Sequence, residues 1–261
     1  MFRRGHRTRQ AHHIVSLLTV AASLLFAASA AAWDAGRPVE LRMPPPLRPG
    51  LAALPRIVVP SPSEDAAAAD INAALAVLDR RVLAAAADCH VHFAYQRRVR
   101  VTLAGSRFLG VLAHDEWYCG AYPDEDDLPL LFDLGSGRLV NWAALLPNRL
   151  HLRAATDSHV DGTPVTMFGS PAMTAFYASY SRRTAQGRDC ADVLDEPYLL
   201  FQAWPDVRRD AVVVTPGTLA HMVRICAIPV AVPTSRLRAM GANAALLDEI
   251  DAAHDRMGGV R

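Results

Sequence analysis

The first 32 residues set the compartment, and the compartment limits which folds are open to the rest. Arg3, Arg4, Arg7 and Arg9 form a basic leader, and an apolar run follows from Ile14 to Ala31. Ala30-Ala31-Ala32 before Trp33 supplies a small-residue cleavage site, with Ala28-Ser29-Ala30 as the alternative. Ser16, Thr19, Ser23 and Ser29 interrupt the run, whereas a retained anchor needs roughly twenty strongly apolar residues. The expectation is a cleaved signal peptide over 1–32, no membrane span after cleavage, and a periplasmic or secreted product. No cysteine lies near the cut, which argues against a lipid anchor.

An exported chain with an even number of cysteines is expected to be oxidised. Cys89, Cys119, Cys190 and Cys226 allow about three connectivities. The simplest pairs neighbours in sequence, Cys89 with Cys119 and Cys190 with Cys226, closing loops of about thirty to forty residues. There is no C-x-x-C, so a thioredoxin-like redox role is not expected. Charge excludes another class. Taking the four leading arginines from 27 basic residues leaves 23 against 26 acids, a formal −3 with His neutral. A strongly basic nucleic-acid binder does not look like this.

Eight prolines between Pro38 and Pro62 mark residues 33–62 as a linker, with Arg56–Val59 as its one short edge-strand candidate. Ser61-Pro62-Ser63-Glu64 reads as a capping box opening a helix. Ile71, Leu75, Leu78 and Val82 carry that helix's buried stripe, with Asp70, Asp79, Arg80 and Arg81 off it. The period then changes to two. His90–Tyr95, Val99–Leu103, Phe108–Ala113 and Leu128–Leu134 are strand candidates joined by turns at Gly105-Ser106 and Gly135-Ser136-Gly137. Asn141 caps a short helix over Trp142–Leu146 that Pro147 stops.

Residues 148–169 lack a clear period and read as loop. Ser170-Pro171 opens a helix carrying Met173, Phe176, Tyr177 and Tyr180. Strands are expected at Tyr198–Ala203, Ala211–Thr215 and Ile228–Val232. Thr234 caps a short helix to Met240, and Asn243 precedes a last one ending before Gly258-Gly259. The sum is an α+β fold: an antiparallel sheet with packed helices in a single disulfide-bearing domain over 63–258.

Three blocks carry a family likeness: Trp117-Tyr118-Cys119-Gly120-Ala121-Tyr122-Pro123, Leu131-Phe132-Asp133-Leu134-Gly135-Ser136-Gly137-Arg138, and Trp142-Ala143-Ala144-Leu145-Leu146. They resemble the RsiV-type extracellular domain family, the sensor part of lysozyme-responsive anti-sigma factors that also occurs beside some peptidoglycan deacetylases. In that family a Gly-Gly-Ala-His/Tyr-Pro turn precedes a strand ending Phe-Asp-Leu; here Cys119 takes the first Gly place. Ile228-Pro229-Val230-Ala231-Val232-Pro233, with Ser235 and Leu237, resembles its closing strand and helix. The resemblance spans about residues 65–240 and implies a fold and an envelope location, with a lysozyme-like protein or peptidoglycan as partner. No sigma-binding segment precedes the signal, so an anti-sigma factor itself is not expected. The turn names no active-site residue.

His90 and His92 share a strand face and, with His114 or Asp115, could meet at one ion, but the spacing matches no zinc pattern. No metal and no cofactor are expected. Asp124-Glu125-Asp126-Asp127 is the sharpest charge cluster, a solvated loop by ordinary expectation and a dock for a cationic partner by the functional one. Trp117 and Tyr122 flanking it would give aromatic anchors. The binding residues expected are therefore Trp117, Tyr122, Asp124, Asp126 and Asp127. Gly135-Ser136-Gly137 is too short for a nucleophile elbow. The favoured function is a non-catalytic exported binding domain, and the alternative is an envelope hydrolase or deacetylase with an unassigned active site.

Overall fold

A computed structural model describes residues 39–60, 65–90, 92–120, 122–158, 164–196 and 199–258. The expected signal peptide, the Ser61–Glu64 capping box, Tyr198 and Gly259 lie outside them. The α+β class expected from the sequence is the class observed. Chain order is β1 (Glu40–Arg42), β2 (Arg56–Val58), α1 (Ala66–Leu75), α2 (Val77–Asp88), β3 (Phe93–Ala104), β4 (Phe108–Cys119) and β5 (Tyr122–Asp133). There follow β6 (Arg153–Ser158), β7 (Pro164–Gly169), α3 (Pro171–Ser181), α4 (Ala185–Asp189), α5 (Ala191–Leu194), β8 (Phe201–Asp206) and β9 (Ala211–Pro216). The chain closes with β10 (Val230–Pro233), α6 (Thr234–Ala239) and α7 (Ala244–Gly258).

The strands form a β1–β2 pair, a meander β3-β4-β5, and a five-stranded sheet in the order β10-β9-β8-β7-β6. Every pairing is antiparallel. Alternation assigns the faces. Leu109, Val111 and Ala113 of β4 pack with Ile71, Leu75 and Leu78 of α1 and α2. The opposite face of β4 turns to the larger sheet, where Leu112 packs with Trp204 and Val213. The far side of that sheet buries Phe201, Ala203, Val212 and Val214 with Met173, Tyr177, Leu237 and Ile250 from α3, α6 and α7. The result is four layers, helices outside two facing sheets.

Local chemistry explains most of the boundaries. Asp65 caps α1, its carboxylate accepting from the Ala68 N–H, so the observed cap is this residue and not Ser61. Ser170 accepts from the Met173 N–H with Pro171 in the first turn of α3, as the sequence indicates. Asn141 likewise caps a 3-10 turn over Trp142–Ala144, shorter than the expected helix. Thr234 lies inside α6, and its hydroxyl binds Asp210. Gly120 has a φ of 86° in the tight turn that puts Cys119 opposite Tyr122, a left-handed conformation glycine adopts without strain.

Further expectations need correction, beginning with the one helix expected over Ile71–Val82, which is two, α1 and α2, meeting at Ala76. The described residues 148–158 and 164–169, expected as loop, hold a 3-10 turn and the paired strands β6 and β7, whose Met167 and Phe168 enter the cores. The stretch expected as a linker is packed onto the domain from Leu51 to Val59, with Leu51, Leu54, Ile57 and Val59 buried. Asp79 is buried, not solvent-facing. Asp124–Asp127 form part of β5, in register with Asp115, Glu116, His114 and Trp117 of β4, and are not a loop.

Asp79 belongs to a buried ionic network. Arg97 donates to both Asp115 oxygens at 2.7 and 2.9 Å, to Asp79 at 3.2 Å and to the Leu78 carbonyl at 2.8 Å. Tyr95 donates its hydroxyl to Asp115 at 2.5 Å, and Arg56 meets Asp79 at 2.6 Å. Burial raises the Tyr95 phenol well above its ordinary range, with the Asp115 charge adding to it, so it stays a neutral donor.

The cysteines are bonded as Cys89–Cys119 and Cys190–Cys226, with sequence separations of 30 and 36. Non-reducing peptide mass mapping is expected to recover these two linked pairs; free thiols or crossed pairs contradict them. Reduction of either is expected to lower stability by about 3–4 kcal/mol through released chain entropy. Arg97→Met leaves Asp115 and Asp79 buried without their cation and is expected to cost about 3–5 kcal/mol in urea unfolding. Arg182→Met, at an exposed pair with Asp195, should cost under about 1 kcal/mol.

Candidate functional site: the inter-sheet cleft

Where the two sheets face each other, a polar cleft of about 80 Å³ opens beside β5. Its walls are His114 from β4, Glu125 to Asp127 from β5, Gln202 from β8, Thr215 to Gly217 at the end of β9, and Arg224. A second hollow, lined by Arg98, Leu112, Trp204 and Asp206, shares His114 and Asp127 with it.

Strand alternation splits the acidic run between two faces. Asp126 turns with Asp115 toward α2, where Arg81 binds it at 2.5 Å. Asp127 turns the other way and lies 2.8 Å from His114 Nδ1. Asp124 meets Arg224 at 3.2 Å, and the same guanidinium donates to the Glu125 carbonyl. The Glu125 carboxylate has no ion pair recorded among the described residues. The four acids thus form a partly neutralised edge, each answered differently.

Trp117 is half-buried. It stacks on Tyr95 at 6.0 Å, with the Arg81 guanidinium 5.7 Å from its ring centre. It is opposite Asp124 in register, and Tyr122 is opposite Cys119 at the start of β5, its side chain outside the described part. Asp115, considered as a metal ligand with His114, is fully buried and bound to Tyr95 and Arg97. His114 is bound instead to Asp127 and, through Nε2, to Glu116 at 3.0 Å. Among the described residues no three His, Cys, Asp or Glu side chains gather in metal-binding geometry. Ser136 sits in a turn where Asp133 accepts from its N–H and its hydroxyl, with no histidine in that network.

Three features of the cleft are invisible in the sequence: Gln202, Thr215 and Arg224. Gln202 and Thr215 are cross-strand partners whose polar side chains stand among mainly apolar residues, a faint signal once both faces of β8 are known. Arg224 comes from a 3-10 segment over His221–Cys226 that carries no periodic pattern.

The hydrogen bond to Asp127 raises the His114 pKa above the ordinary imidazole value, with the Glu116 contact adding and burial opposing. A raised folded-state value means that the His114–Asp127 contribution to stability is fully present below the ordinary value of about 6.5 and lost as pH rises through the raised one. An NMR titration is expected to find the His114 midpoint above that of a free imidazole, and Asp127→Asn should bring it down toward the ordinary value. An unchanged midpoint in Asp127→Asn would contradict the pairing.

No protein-family model matches the sequence, and no curated protein does. Among solved structures, a DUF3298 family protein from Pseudomonas aeruginosa is similar at 12% identity, covering 79% of this chain and 94% of that one with a TM-score of 0.41. A DUF3298 family member from Bacteroides fragilis is similar at 10% identity, covering 77% of this chain and 88% of that one with a TM-score of 0.43.

Proposed function

We propose that the protein is a non-catalytic, exported binding domain of the cell envelope that takes a cationic, lysozyme-like protein on the face beside β5. The observation that carries this is a fixed apolar knob next to the acidic edge. Met222 is 90% and Ile225 75% exposed, and positions three apart in a 3-10 segment share one face. Large apolar side chains displayed side by side favour a protein partner.

Four ties hold the knob in place. Val223 packs on the core, and Cys226 is bonded to Cys190. Arg224 grips β5, and Gln186 donates to the Ile225 carbonyl at 2.6 Å. A surface held this way loses little freedom when a partner arrives. The uncompensated Glu125, with Asp124 and Asp127 behind it, supplies the sign that a cationic partner needs for steering.

Export and the oxidised compartment belong to the same proposal, supported by the leader sequence and by the two disulfides. No described helix is long and apolar enough to cross a membrane. The resemblance noted above supplies lysozyme as the first partner to try and peptidoglycan as the second.

Calorimetric titration of the oxidised protein with a cationic lysozyme is expected to show saturable binding that weakens as salt is raised. Met222→Ala and Ile225→Ala should each reduce affinity about tenfold or more. Absence of any heat, with retention on peptidoglycan, would transfer the proposal to the glycan; absence of both would sink it.

A further inference from the structure

The floor of the inter-sheet cleft holds two acceptors that the fold itself does not use. Gln202 and Thr215 are cross-strand neighbours on the β8–β9 face turned toward the smaller sheet, 2% and 4% exposed. Gln202 Oε1 and Thr215 Oγ1 have no hydrogen-bond partner among the described residues. Native folds seldom bury polar atoms unmet, and two side by side in a cleft wall point to a donor from outside the chain. Gly217 keeps the floor open: a Cβ there would lie 2.5 Å from Gln202 Nε2 and 2.6 Å from its Cγ.

The walls give the sign of that donor. Arg224 is committed to Asp124 and the Glu125 carbonyl, and His114 to Asp127 and Glu116. The unmet acceptors in the lining are the two floor oxygens and, at the mouth, the Glu125 carboxylate. At about 80 Å³ the cleft is small for a ligand site and suits a compact head group.

We propose that this cleft binds the head of a compact organic cation, an alkylammonium or a guanidinium, with Gln202 and Thr215 as floor acceptors and Glu125 as counter-charge. The identity of the carrier rests on the envelope-binding reading above: in a complex with a cationic protein, the head is the end of a Lys or Arg side chain. A free small amine is the other source of the same chemistry.

The oxidised protein is titrated with n-butylammonium and with ethylguanidinium chloride at constant ionic strength. Tetramethylammonium chloride serves as a cation without N–H donors, and the side-chain amide resonances of Gln202 are followed. Saturable movement with either N–H cation and none with tetramethylammonium is expected. Thr215→Val keeps the shape, removes one acceptor, and is expected to weaken binding about tenfold, the loss of one charge-assisted hydrogen bond. Its Tm should hold or rise, because it deletes an unmet buried hydroxyl, so lost binding cannot be blamed on misfolding. Gly217→Ala, whose methyl displaces the Gln202 amide and with it the Oε1 acceptor, should weaken binding too. Equal movement with all three salts, or none with the N–H cations, overturns the proposal.

Titration of Thr215→Val with lysozyme separates the sources. A parallel tenfold loss assigns the head to a protein side chain, and unchanged lysozyme affinity assigns the cleft to a free amine. If lysozyme fails to bind the wild type, the envelope-binding reading falls alone, and the small-cation titration still decides the cleft.

Discussion

Arg97 is the residue on which the first half of the molecule turns. Its guanidinium is almost wholly buried among Asp115, Asp79 and the Leu78 carbonyl. A buried charge that loses its counter-ion is strongly unfavourable, so β3, β4 and α2 can close only together. A slip of one residue would send Arg97 to the opposite face of its strand. The pair Arg97–Asp115 therefore fixes the β3–β4 register as well as the seat of α2. With Asp115 turned inward, its neighbours His114 and Glu116 must face the larger sheet. The polar lining of the cleft is thus a consequence of a network on the other side of the same strand.

The second sheet completes the arrangement because β8 lies across all three strands of the meander. Its inward face gives Phe201 and Ala203 to the main core, and its other face gives Gln202, Trp204 and Asp206. Trp204 meets Leu112 and Val213 in a small apolar contact that seals the sheets together near the middle. Toward β5 the apolar contact ends, and polar side chains from both sheets confront one another without filling the gap. The cleft is the place where sheet-to-sheet packing runs out, beside a segment that a disulfide and an arginine hold down.

The sequence shows the elements better than their meeting points. Ile71, Leu75, Leu78 and Val82 are buried as their spacing indicates, but they are shared between α1 and α2 rather than carried by the one helix expected. The helix from Ser170 and the strand from Ala211 are legible through their caps and β-branched runs. Asp124–Asp127 defeats such reasoning. Four acids in a row have no alternation of polarity, so the strand period vanishes even though the backbone is extended. What makes the strand tolerable is Arg81, His114 and Arg224, from three distant places in the chain. The β6–β7 pair is missed for a related reason: Arg153, Thr156 and Asp157 give the sequence of its first strand no apolar alternation to read. Trp117, expected as an anchor from its place beside the acids, also stacks on Tyr95 and takes the Arg81 guanidinium against its ring, contacts from distant strands and helices that its local sequence does not show.

Both disulfides join cysteines that are consecutive in the chain. One closes between the end of α2 and the end of β4, the other between the segment after α4 and the 3-10 segment before β10. Neither ties the first half of the molecule to the second. An oxidant that met this polypeptide N-terminus first would find Cys119 as the earliest partner for Cys89. Order of arrival would then favour the observed connectivity. A connectivity of neighbours in sequence leaves fewer crossed bonds to be undone when the thiols of this chain are oxidised in order.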